Sequence, residues 1–390
     1  MPDFKKLAKS VEKEIITLRR DFHAHPELGF KETRTALVIE KRLRSLGIKT
    51  RRMAGTGVAG YLEATRAKKT IALRADIDAL PITEETGLAF ASKSPGVMHA
   101  CGHDAHTAIL LAVAGILSRM RGELKGSVRF IFQPCEEFPP GGALSMVKEG
   151  VMDGVDEVYG LHVGSKLPSG FFNAEAGPQM AAVDDVRIEI KGVGAHGATP
   201  QFSVDPVLAA SEAIVALQQV VSRNVSPMEP AVLSICMINA GTAYNIIPET
   251  CSFRGTVRTL TKELRRKMPR MIRRVVDGIC RAHGAKFEME YLAGYDSLVN
   301  DARATKAARG VIVELFGAKA VKAVGPRMGA EDFSEYLKVA RGCFMNLGTG
   351  DPGRRTDVPH HNPRFRVDES VLWMGAAVLA KLGVERGAAR

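Results

Sequence analysis

The stretch Val97-Met98-His99-Ala100-Cys101-Gly102-His103-Asp104-Ala105-His106 packs three histidines, a cysteine and an aspartate into ten residues. An apolar helical run follows at once, Ala108-Ile109-Leu110-Leu111-Ala112-Val113-Ala114. This order predicts a polar cluster on a loop that enters a buried helix. Thiols and imidazoles are costly at such a place unless something binds them, and a divalent metal is the simplest candidate. Cys-x-His is too short to be half of a zinc finger, and no second Cys/His pair lies at finger spacing. The remaining ligands must therefore come from distant segments, as in catalytic sites rather than small structural knots.

Several segments offer such groups. The strand pattern 127–133 runs into Pro134-Cys135-Glu136-Glu137. Adjacent carboxylates after a buried strand are expensive to bring together unless a cation or a proton separates them. One could ligate and the other act on a bound water. The strand pattern 70–75 leads into Asp76 and Asp78. These either cap a turn or orient metal-bound histidines at the carboxyl edge of an α/β sheet. His162 lies near the end of an apolar strand, 157–163, where a satisfied core histidine is the alternative to a ligand. His360 and His361 sit on a proline-flanked loop before a last apolar helix, 369–382. His23 and His25 stand at the end of an amphipathic helix, 4–20, where they either face a site or finish the helix. A second helix, 32–46, follows them.

Composition narrows the class. With 390 residues, two domains are expected. Apolar content of 45% and charged content of 25% are ordinary for a globular protein. The net charge of +11 is spread over helix faces rather than gathered in a run, which argues against nucleic-acid binding. The six cysteines suggest no disulfide framework. There is no signal-peptide pattern and no apolar run long enough to span a bilayer. A reduced, cytoplasmic enzyme is the expectation.

Residues 183–293 read as a separable block. Strands at 183–191, 231–239, 250–259 and 286–292 interleave with helices at 205–222 and 262–283 in the order β-α-β-β-α-β. The expected architecture is therefore α/β: a doubly wound, mixed-sheet domain from 1–182 and 294–390, with an inserted α+β ferredoxin-like domain at 183–293. Within the insert, Gly192-Val193-Gly194-Ala195-His196-Gly197 is a glycine-rich loop carrying one histidine.

Taken together, nine stretches resemble the co-catalytic metallopeptidase family of aminoacylases and carboxypeptidases. They are Phe22–Leu28, Arg74–Pro81, His99–Asp104, Gln133–Glu137, Leu161–Val163, Gly194–Gly197, Asn245–Glu249, Glu331–Ser334 and His361–Pro363. They run in family order over nearly the whole chain. The nearest branch is similar to N-acyl-amino-acid amidohydrolases, namely hippurate and auxin-conjugate hydrolases. The resemblance implies two divalent ions per subunit, held by Cys101, His103, Glu137, His162 and His361, with Cys101 where other branches use a bridging aspartate. A mixed sulfur, nitrogen and oxygen set suits zinc, manganese, cobalt or nickel. Also implied are Glu136 as general base, the 183–293 block as lid and dimerisation domain, and contacts from His196 and Asn245 to a substrate oxyanion or carboxylate. The implied substrate is an N-acyl amino acid, cleaved to a carboxylic acid and a free amino acid, with a dipeptide as the alternative. A homodimer or higher homo-oligomer is the implied assembly. Ala105 and Cys135 depart from a frequent glycine and alanine, and neither removes a proposed ligand. Two rivals stand beside this reading: an inactive metal-binding protein on the same scaffold, and a thiol enzyme using Cys101.

Overall fold

A mixed seven-stranded sheet organises the first of two compact units in the computed structural model, which describes residues 2–65 and 67–389. This unit holds the chain up to Gly177, then Val299–Gly325, then everything from Asp332 onward. In spatial order its strands are Lys49–Met53, Gly57–Leu62, Ser127–Gln133, Thr70–Asp76, Glu157–Pro168, Arg341–Gly350 and Phe172–Asn173. The four from Ser127–Gln133 to Arg341–Gly350 are mutually parallel, and antiparallel strands flank them. Parallel strands end at a common edge, where α/β sheets bind ligands. Asp76 pairs with Gln133 in register. The residues that follow each strand, Asp78 and Glu136-Glu137, therefore leave from neighbouring points on that edge.

Helix His103–Arg119 packs against the central strands, and every residue from His103 to Leu117 is buried. Its run of Ala, Leu, Ile and Val is apolar on all sides, as a fully buried helix requires. The helix begins at His103. The polar cluster therefore does not lie wholly on a loop, because His103, Asp104 and His106 occupy the first turn. Gly102 makes this start possible. Its φ is 91°, and a Cβ built there would sit 2.3 Å from Val163 Cγ2. A side chain meets both left-handed strain and a packed neighbour. Gly102→Ala should cost about 2–4 kcal/mol by thermal or urea unfolding. An unchanged midpoint would mean that the turn relaxes freely.

Three other element boundaries differ from expectation. The first helix is two helices, Phe4–Ser10 and Glu12–Ala24, because the chain turns at Val11 and buries Phe4 and Ile15. The strand holding His162 continues to Pro168, so His162 lies mid-strand, opposite Asn346. The last helix, Leu372–Ala388, starts after a 3-10 turn at Glu369–Val371. It packs on helix His103–Arg119. No helix among the described residues is long and apolar enough to cross a membrane.

The second unit spans Pro178–Leu298 and takes in Pro326–Glu331. Its antiparallel sheet has the spatial order Ala231–Ala240, Thr250–Thr259, Ala182–Lys191, Lys286–Ala293. Helices Pro206–Asn224 and Lys262–His283 bury Ala213, Leu217, Met268 and Ile272 against Val186, Ile188 and Ile190. The second helix shows why: Leu264, Met268, Ile272, Val276 and Cys280 recur every fourth residue, which keeps them on one face. Thr261 caps its start and Gly284, at positive φ, ends it.

Candidate metal centre

The donor groups converge from four separate segments of the first unit, around Cys101–His103, Glu136-Glu137, His162 and His361. Ligand atoms of Cys101, His103 and His162 lie within 4.8 Å of one another. The same holds for Cys101, Glu137 and His361, and for His103, Glu136 and Glu137. Cys101, His103 and Glu137 each belong to two of these groups, so the groups form one continuous cluster. All six of these first-unit residues singled out from the sequence come together here. His99 belongs to none of the groups. It is buried with both ring nitrogens lacking a hydrogen-bond partner among the described residues, and burial pushes it down to about 4.

The partners of each ring show what each is prepared to do. His103 Nδ1 lies 2.9 Å from the Asp78 carbonyl and 3.1 Å from Asp78 Oδ1, so that nitrogen carries a proton. Its Nε2 is buried and has no hydrogen-bond partner among the described residues. Glu137 Oε1 is likewise buried without one, although His361 Nε2 stands 3.1 Å away. The contact is close, but it is not aligned for a hydrogen bond. Two buried atoms without hydrogen-bond partners, directed into one cluster, fit a bound cation. Cys101 Sγ faces His162 Nε2 at 3.6 Å, and His162 Nδ1 donates to the Val163 carbonyl at 2.7 Å. Burial, with His106 and His360 nearby, holds His162 well below the usual histidine range, so it is a neutral lone-pair donor.

Charge points the same way. Burial disfavours a charged His103, yet the Asp76, Asp78 and Glu137 carboxylates outweigh it and raise the ring to about 10. Burial, then Glu137, Glu136 and Asp76, pushes the Cys101 thiol well up. An acidic pocket that demands a proton on His103 and refuses a thiolate is short of positive charge. A divalent cation would supply it, and would release those protons as it binds. The donor chemistry therefore fits a metal.

A supporting layer, only partly legible in the sequence, holds these groups in place. Asp76 accepts from His106 Nδ1 at 2.6 Å and pairs with Arg74 at 2.7 Å. Despite its burial, His103, His106 and Arg74 keep that carboxyl well below its ordinary value. His106 Nε2 accepts the Val163 N–H at 2.8 Å, and His360 Nε2 donates to the Val163 carbonyl at 3.0 Å. The backbone N–H and carbonyl of Val163 thus tie three histidines together. Asp78 Oδ2 accepts the Glu137 N–H at 3.1 Å. Buried Glu32 accepts the Cys135 N–H at 2.9 Å and so holds the backbone just before Glu136. His106, Arg74 and Glu32 are not among the site residues expected from the sequence. Arg74 ends the apolar run Ile71-Ala72-Leu73 on a strand buried from Ile71 onward, and a buried arginine must be paired.

His23 and His25 stand outside the cluster. His23 is buried between Asp104 Oδ2 (2.8 Å) and Glu84 Oε1 (3.2 Å), and Arg19 also pairs with Asp104 at 3.1 Å. His25 is half-buried and bonds the Asp21 carbonyl. In the second unit, His196 and Asn245 are neighbours. His196 pairs with Ile246 across a short antiparallel ladder, and Gly197 N–H donates to the Asn245 carbonyl at 2.8 Å. His196 is exposed, and its Nδ1 accepts the Ala198 N–H at 3.0 Å, which leaves Nε2 to carry the proton.

The sequence model of peptidase family M20/M25/M40 matches residues 72–384. The chain belongs to this family. An N-acyl-L-amino acid amidohydrolase of Geobacillus stearothermophilus is 46% identical over 76% of this chain and 81% of its own length. Thermostable carboxypeptidase 1 of Saccharolobus solfataricus is 39% identical over 97% of this chain and 96% of its own. Among solved structures, the Bacillus subtilis YXEP protein, described as a dinuclear metal binding peptidase of family M20, superimposes with a TM-score of 0.85. It is 38% identical and the match covers 96% of this chain and 98% of that one. Membership in family M20/M25/M40 accounts for a cluster built from side chains so far apart in sequence.

Proposed function

We propose that this M20-family hydrolase cleaves N-acyl-L-amino acids to a carboxylic acid and a free amino acid, with two divalent ions per subunit. The observation that carries the reading is the contiguous cluster of Cys101, His103, Glu137, His162 and His361 donors beside Glu136, with His103 Nε2 and Glu137 Oε1 left unpartnered. Bound at those donors, divalent ions would supply a Lewis acid for the scissile carbonyl and acidify a water. Glu136, next to Glu137 at the sheet edge, takes the proton of the attacking water and passes it to the leaving nitrogen. Asp78 and the Val163 carbonyl hold the second nitrogens of His103 and His162, so both rings present Nε2 to the cluster.

The second unit, with its β-α-β-β-α-β order, is read as a ferredoxin-like lid and dimerisation domain. Its proton-bearing His196 Nε2 is the donor assigned to the tetrahedral oxyanion, with the adjacent Asn245 as the weaker contact. His196→Ala should lower kcat about 10²–10³-fold and leave metal content untouched. Unchanged kcat would remove His196 from the reaction. The edge strand Ala231–Ala240 exposes Met237 and Ile238, and helix Pro206–Asn224 exposes Val215. An uncovered apolar edge is a liability in a lone protomer, which supports pairing with a second copy of the chain.

The function is tested by adding zinc, manganese, cobalt or nickel back to chelated protein. The substrates are N-acetyl, N-benzoyl and longer N-acyl amino acids, with dipeptides alongside. Metal-restored hydrolysis of N-acyl amino acids is expected. Hydrolysis of dipeptides alone would favour the carboxypeptidase reading, and activity that survives chelation would favour a thiol enzyme.

A further inference from the structure

We propose that the first unit carries a second ligand site, for a small dianion bearing sulfate-, phosphate- or carboxylate-type oxygens. It is a cavity of about 390 Å³ lined by Glu85, Thr86, Arg355, Val358, Arg364 and Arg366. Three guanidinium groups share it with one carboxylate. That carboxylate is already engaged, because Arg364 Nε donates to Glu85 Oε2 at 3.1 Å. Arg366 donates to the Thr86 carbonyl, which carries no charge to offset its own. Arg355 has no side-chain partner among the described residues. Other acids on this loop do not line the cavity: Asp351 pairs with Arg354, Asp368 accepts from Arg354 and Ser169, Glu369 accepts from Arg19 and Arg20, and Asp357 is absent from the lining. The cavity therefore holds two positive charges that nothing within it neutralises. Planar guanidinium forks match oxyanions in geometry as well as in charge.

The backbone adds a second observation. Arg355 stands at φ 57°, in the left-handed region, directly after the turn Pro352–Arg354. Glycine is the cheap residue there, and arginine is a strained one. The chain tolerates that strain at a position that lines the cavity with a cation. The same loop carries His361. Glu85 N–H donates to the Pro363 carbonyl at 2.8 Å, and Asn362 Oδ1 accepts from Arg364 N–H at 2.9 Å. An anion bridging Arg355 and Arg366 would fasten both ends of the segment that presents His361. The site is independent of which amide the enzyme cleaves.

Isothermal titration of the metal-loaded protein tests this, with sulfate as probe because it is a poor metal ligand, and with succinate as the carboxylate arm. Chloride at matched ionic strength is the control. Saturable one-site binding is expected for at least one dianion, and the tighter of the two names the ligand chemistry. Arg355→Gly should weaken it at least tenfold while keeping Tm at or above that of the unmodified protein, since the strain is relieved. Arg366→Ala should weaken it comparably. No saturable binding of either dianion, or binding that Arg355→Gly leaves unchanged, overturns the proposal.

Discussion

Glu136→Gln should keep its metal and lose about 10²–10⁴ of its turnover. The amide has the shape of the carboxylate it replaces, so the loop after strand Ser127–Gln133 has no steric reason to move. Glu32 and Asp78 would still hold the Cys135 and Glu137 N–H groups. What the amide lacks is basicity: it cannot take a proton from water and return it to nitrogen. Elemental analysis and a turnover assay on the same preparation separate the outcomes. Near-full turnover would reject Glu136 as base. Loss of metal together with activity would make Glu136 a ligand and leave the base unassigned.

Cys101→Ala should reduce the bound stoichiometry of at least one ion, with metal affinity falling by about 10²-fold or more. The sulfur sits in two of the three donor groups, beside His103 and His162 in one and beside Glu137 and His361 in the other. Removing it takes a donor from both, while each retains two. Cys101→Asp should restore part of the loss, since a carboxylate is again an anionic donor at that position. Unchanged metal content after gel filtration in Cys101→Ala would count against ligation. The role of shared donor would then fall to His103 and Glu137, which also belong to two groups each.

The sequence made the parts legible more readily than their supports. Long elements were easy to see: Thr250–Thr259 and Lys262–His283 have the boundaries that periodicity predicts, because strict alternation and four-residue spacing survive in half-buried elements. Buried elements blurred. Helix His103–Arg119 starts earlier than its apolar run, since histidine and aspartate in a first turn read as loop until Gly102 is seen to turn the chain. Candidate donors announced themselves by residue type, although only Glu136 and Glu137 follow the end of a strand; His162 lies mid-strand and His103 in a helical turn. His106 and Glu32 did not, because their work is to hold a backbone N–H, and no spacing rule marks which amide a distant side chain will meet. His99 illustrates the converse: proximity in sequence to Cys101 and His103 did not bring it into the donor set.

The main chain of Val163 governs how this centre can vary. Its amide hydrogen and carbonyl oxygen set the angles of His106, His162 and His360. Main-chain atoms are shared by every residue type, so exchanging the valine for another side chain leaves those three anchors intact, and proline alone would delete the amide hydrogen. The aim of the imidazoles is thus insulated from ordinary drift at the very residue that governs it. Packing against Gly102 is what constrains the valine itself.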